Sequence, residues 1–240
     1  MKFLILLLVV TIASLSCYSQ QSDLVTIKGK LNPKGNYIMI YLDTLSQRGS
    51  EDFAAAEVKS DGSFVMTAPV SRTDIYKLRL DENNYLMLIL SPGESLGFVS
   101  PTEKLGIDAI IRGSKHTELL YQAINLTRIY DLKRDSLNKA YNNAMTSPAK
   151  DSLSNLIIAE FGRNDSLQKV ILKSMIRQEP GSMAWIFLQD KLDMNNDFPL
   201  IDRMEKEMYA AYPYNAYIQQ YHQQIETERK TAVGSVAPDI

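Results

Sequence analysis

Ala109-Ile110-Ile111-Arg112-Gly113-Ser114-Lys115-His116-Thr117-Glu118-Leu119-Leu120 is the stretch in which the chain changes its period. Upstream of Gly113 apolar and polar residues alternate, as they do in strands with one buried face. Downstream of Ser114, a residue suited to capping, Leu119, Leu120, Ala123, Ile124 and Leu126 fall at helical spacing. The sequence therefore predicts an α+β chain built in segments. An N-terminal antiparallel β-sandwich covers 24–112, and an all-α helical subdomain covers 114–230.

Working upstream, Val25-Thr26-Ile27-Lys28-Gly29-Lys30-Leu31 alternates cleanly, and Tyr37 to Leu42 is apolar enough for a sandwich interior. Ser60-Asp61-Gly62-Ser63 is a hairpin signal, because Asp-Gly tolerates the positive φ of primed turns. Phe64 to Ala68 pairs back. Ile75 to Leu80, Tyr85 to Leu90, Ser95 to Val99 and Ala109 to Arg112 follow, divided by Asp81-Glu82-Asn83-Asn84 and Ser91-Pro92-Gly93-Glu94. Seven or eight short strands with turns at this spacing are the pattern of a sandwich.

Working downstream, the breaks at Thr146-Ser147-Pro148, Gly162-Arg163-Asn164, Glu179-Pro180-Gly181-Ser182 and Asp193 to Asp197 divide the remainder. They predict six helices, over 114–145, 149–161, 165–178, 183–192, 199–212 and 214–230, with Trp185 in the helical core.

Function classes are narrowed mainly by what is scarce. A formal net charge of -2 supplies no basic field for nucleic acid. Cys17 is the only cysteine, so the chain can form neither an internal disulfide nor a Cys-x-x-Cys pair. His116 and His222 lack metal-binding or catalytic spacing and read as exposed polar residues. Asp202, Glu205 and Glu207 near Arg203 and Lys206 read as an exposed helix face with i, i+4 ion pairs. No catalytic, cofactor-binding or metal-ligating residue is assigned. Tyr214, Tyr217 and Tyr221 recur at i, i+3 and i+7 and share one helix face. They serve either as core packing or as an aromatic interface for a following domain or a second subunit, which would make a homodimer.

Both ends carry signals. Residues 1–19 read as a signal peptide, with Lys2 before an apolar run too short to span a bilayer. Cleavage before Gln20 and lipidation of Cys17 are the two processing routes, so export to the periplasm or outer envelope is expected, with a lipid anchor as the only membrane attachment. Val233-Gly234-Ser235-Val236-Ala237-Pro238-Asp239-Ile240 ends the sequence in an extended segment.

That octapeptide resembles the opening of a thioredoxin-like domain of the TlpA/ResA and AhpC/TSA type. Ile27-Lys28-Gly29-Lys30-Leu31, Asp61-Gly62-Ser63-Phe64, Leu90-Ser91-Pro92-Gly93-Glu94 and Arg112-Gly113-Ser114 resemble, in order and spacing, the DUF4369-like region that precedes such domains in exported proteins. The resemblance implies that 233–240 begins a thioredoxin-like domain. It also implies a non-catalytic accessory region that positions or dimerises the redox domain or recognises its clients. Partners would be envelope proteins or the downstream thioredoxin domain. The alternative is a free-standing envelope module binding a peptide, glycan or protein, which a pocket between strands and helices would favour.

Overall fold

The computed structural model describes residues 23–32, 35–46, 49–107 and 109–231; residues 1–19, expected to be a signal peptide and including Cys17, and the 233–240 segment lie outside them. Eight strands come first: β1 (Leu24–Leu31), β2 (Met39–Ser46), β3 (Gly49–Glu57), β4 (Ser63–Pro69), β5 (Asp74–Asp81), β6 (Asn84–Leu90), β7 (Ser95–Ser100) and β8 (Ile110–Arg112). They form two four-stranded sheets, in the orders β4-β1-β7-β8 and β3-β2-β5-β6. The arrangement is sandwich-like and mostly antiparallel. The exception is β1 with β7, which run parallel with Ile27 opposite Leu96.

Alternation explains the inner layer. Val25, Ile27, Phe64, Met66, Leu96 and Phe98 of the first sheet are buried, as are Ile40, Leu42, Leu78, Leu86 and Leu88 of the second. Gly29 keeps room for this packing, because a Cβ there would lie 2.0 Å from the Phe64 ring. The second sheet is also covered on part of its other face. Ile75 pairs with Ile89, and Lys77 with Met87, so these side chains point away from the sandwich core. Ile75 and Ile89 are nonetheless buried. What covers them is helical, and the fold has three layers: sheet, sheet, helices. Beyond the helices, that outer face carries cations, with the Arg79 guanidinium over the Tyr41 ring and Lys77 over Tyr85.

Gly113 makes the turn from strand to helix at φ +89, where a Cβ would meet the Ser95 carbonyl oxygen at 2.1 Å. Then come α1 (Lys115–Met145), α2 (Lys150–Gln178), two short 3₁₀ turns (Met183–Phe187 and Gln189–Lys191), α3 (Phe198–Ala211) and α4 (Ala216–Thr231). Two expectations change here. The break predicted at Gly162-Arg163-Asn164 is absent and the helix predicted over 183–192 does not form, leaving four α-helices among the described residues. A mid-helix glycine costs only about 1 kcal/mol. Against that cost, the buried Asn164 donates to the Tyr130 carbonyl of α1, and Arg134 pairs with Asp165, fastening α2 along α1. The segment after Pro180-Gly181 forms tight 3₁₀ turns instead, which suits its shortness and buries Trp185, whose Nε1–H donates to the Glu179 carbonyl at 2.7 Å.

Ser114 is not the cap that its position suggests, for its side chain makes no capping bond. Its hydroxyl lies 2.8 Å from the Ile89 carbonyl of β6, the edge strand of the second sheet. One turn on, Thr117 accepts the Ile89 N–H at 2.9 Å and donates to the Ile89 carbonyl at 2.7 Å. Another turn on, Tyr121 accepts the Met87 N–H at 3.2 Å. A polar stripe of α1 thus replaces the neighbouring strand that β6 lacks. The helix start is satisfied from inside, with the Gly113 N–H donating to the Glu118 carboxylate at 2.6 Å. Thr117→Val keeps the shape and strands a buried N–H, so it should destabilise the fold by about 2 kcal/mol in urea unfolding, with Thr117→Ser losing less.

Candidate functional site

The covered part of the second sheet's outer face does not close completely. Between it and the helices lies a cleft of about 270 Å³ whose walls include Leu45, Ile75 and Met87 from the sheet, Phe187 from the first 3₁₀ turn and Tyr217 and Tyr221 from α4. Gln189, Gln220 and Gln224 supply its amides. A second, polar cavity of about 490 Å³ adjoins it, sharing Leu45 and Tyr217 and adding Glu51, Arg72, Asp74 and Tyr214. An apolar floor with a few convergent polar groups is the composition of a ligand site.

The start of α4 holds the cleft in shape. Asn215 caps the helix, its Oδ1 accepting the N–H groups of Tyr217 and Ile218, while its amide donates to Asp74 at 2.7 Å. Tyr214 donates to the Thr73 carbonyl at 2.8 Å, and the Arg72 guanidinium lies 4.4 Å from the centre of its ring. The three tyrosines of the sequence pattern therefore separate. Tyr221 is buried, Tyr217 is the wall common to both cavities, and Tyr214 fastens α4 to the loop before β5. Burial raises the pKa of Tyr221, with the Glu205 charge adding to it, and burial followed by Asp74 raises that of Tyr214. Near neutrality these phenols are neutral rings and donors.

Both histidines depart from the exposed reading. His116 is partly buried, with Nδ1 2.9 Å from the Ser182 hydroxyl and Nε2 3.1 Å from the Tyr212 hydroxyl, and so joins α1, the 3₁₀ segment and the end of α3. His222 stacks on Tyr209 at 3.8 Å and bonds Glu205 at 2.6 Å. Glu205 is itself buried, on the face of α3 shared with Ile201, Met204 and Met208, which corrects its reading as an exposed residue. Arg229 fills the centre of this group, bonding Asp202, Glu205 and Glu226. Its charge occupies the carboxylates that a metal would need. No group of three His, Cys, Asp or Glu among the described residues could hold one. The i, i+7 spacing of His222 and Arg229 was the sequence signal for this cluster. Around it, Lys206–Asp202 and Arg203–Glu207 are the expected i, i+4 pairs.

Burial holds the His116 pKa below its ordinary 6.5, with Lys115 adding to the effect. The unfolded chain therefore takes up a proton near 6.5 while the folded chain resists, so stability should fall as pH drops below that value and stay flat above it. Urea midpoints between pH 7.5 and 5 should show this slope, and His116→Asn should flatten it.

No helix among the described residues is long and apolar enough to cross a membrane. Searches of curated proteins and of solved structures give no match. Residues 25–120 match the family model described as a domain of unknown function (DUF4369). That span runs from β1 to the first turns of α1 and takes in all eight strands with Ser114 and Thr117, so this strand half and its helical seal are what resembles the DUF4369 family.

Proposed function

We propose that this chain is a non-catalytic recognition region, and that the cleft between the second sheet and α4 takes an extended polypeptide. The adjoining apolar and polar cavities, with Tyr217 as their common wall, are the observation that carries this reading. The first receives an apolar side chain, with the glutamine amides offering partners to peptide groups beside it. The second, with Glu51 and Asp74 against Arg72, has an excess of negative charge and suits a basic side chain.

The wording of 234–240 and the DUF4369 match of 25–120 support placing this module in an exported thioredoxin-like protein, where it would present clients to the redox domain. Cys17 being the only cysteine, the redox step would belong to that other domain.

Anisotropy of a labelled, reduced and alkylated ribonuclease should report saturable binding. Tyr217→Ala, and separately the exposed pair Gln220→Ala and Gln224→Ala, should each weaken it by about tenfold, or roughly 1.4 kcal/mol. Glu207→Gln, on the exposed face of α3, should leave it unchanged. Absence of binding, or binding indifferent to both cleft variants, would refute the proposal.

A further inference from the structure

The outer side of α2 carries a second feature that the cleft does not explain. Leu153, Leu156, Glu160, Arg163, Leu167 and Val170 follow at alternating steps of three and four residues, the spacing of a coiled-coil seam. They lie to the side of the face that meets α1 and the core, which is marked by Asn164, Gln168, Leu172 and Ile176, and only Glu160 among them reaches α1, at 3.8 Å from Lys133. The four apolar members are 39%, 66%, 54% and 62% exposed. At 1.5 Å per residue the stripe is about 26 Å long.

The stripe reads the same from both ends. Turned about a point between Phe161 and Gly162, Leu153 falls on Val170, Leu156 on Leu167, and Glu160 on Arg163. This is the condition for an isologous contact, in which each residue meets its counterpart across a two-fold axis. The charges fit as well. Glu160 and Arg163 already bond one another within the helix at 2.9 Å and stand at the only two polar positions of the stripe. In an antiparallel pair of α2 helices each would face the opposite charge of the other copy. A parallel pair would set Glu160 against Glu160 and Arg163 against Arg163.

We infer that two copies of this chain associate through the outer faces of α2, antiparallel, with the two-fold axis between Phe161 and Gly162. The two α1–α2 hairpins make a four-helix layer, and the sheet-bearing bodies sit at its opposite ends. The inference is independent of the recognition cleft.

Sedimentation of the leader-free chain should show a reversible dimer. Leu156→Glu and Leu167→Glu, both at exposed positions, should abolish it while leaving the thermal midpoint of the protomer in place. Glu160→Arg and Arg163→Glu should each weaken self-association by at least about tenfold, and an equal mixture of the two should form the heterodimer. In that leader-free chain, which holds no other cysteine, Leu156→Cys mixed with Leu167→Cys should give a disulfide-linked pair that neither gives alone. A chain that is monomeric up to about 1 mM, the weakest affinity worth the name here, would overturn the inference. So would a dimer indifferent to Leu156→Glu and Leu167→Glu, a charge-reversed mixture that stays apart, or Leu156→Cys linking to itself as readily as to Leu167→Cys.

Discussion

The edge of β6 is the constraint on which the rest of this structure depends. A strand with one unpaired edge inside a protein leaves N–H and C=O groups with neither water nor a neighbouring strand. Here Ser114, Thr117 and Tyr121 supply the missing bonds from successive turns of α1. Hydrogen bonds tolerate little displacement, so this fixes where α1 begins, how it is rotated and which of its faces meets the sheet. Gly113 sets the angle of approach from the other side. Strand and helical segments therefore share one continuous hydrophobic core that reaches from Val25 to Ile225.

A second fastening comes from the far end of the helical segment, where Asn215 and Tyr214 bind Asp74 and the Thr73 carbonyl. With α1 on the β6 edge and α4 at the start of β5, the helices bridge the outer face of the second sheet without filling it. The cleft is the space left under that bridge. His116 braces one side by joining Ser182 and Tyr212, and Arg229 with Glu205 ties α3 to α4 behind it. The polar groups around the cleft are thus mostly engaged in holding its walls, while Gln220 and Gln224 line it at exposed positions of α4.

Much of the strand half was legible because its turns have local chemistry, but the hairpin expected at Asp61-Gly62, with Gly62 at φ +82, instead turns the chain from one sheet to the other, so that β4 pairs with β1 while β3 pairs with β2. The change of period at Gly113 was equally plain, since it needs only a few residues on either side. What could not be read depends on partners distant in sequence. The parallel pairing of β1 with β7 leaves no trace in either strand's own pattern. Gly162 looked like a break because the gain from Asn164 and Asp165 reaching α1 is tertiary. The three-layer arrangement did leave a signal in Leu86-Met87-Leu88-Ile89-Leu90, apolar on both faces where a half-exposed strand would alternate. The cleft itself was not legible. Its walls come from β2, β5, β6, a 3₁₀ turn and α4, and nothing local in Leu45 or Gln220 joins them.

The position of β1 has a bearing on how such a chain is made. β1 is flanked by β4 on one side and by β7 on the other, and β7 needs β8 beyond it. The first strand synthesised therefore finds its second neighbour only when residues 95–100 exist, and the seal on β6 must wait longer, for Tyr121. Contacts this far apart in sequence close slowly, since the loop entropy is lost before the contact is gained. A chain emerging N-terminus first has no early, self-sufficient folding unit in its strand half. The strand half is therefore complete only once the start of α1 has been made.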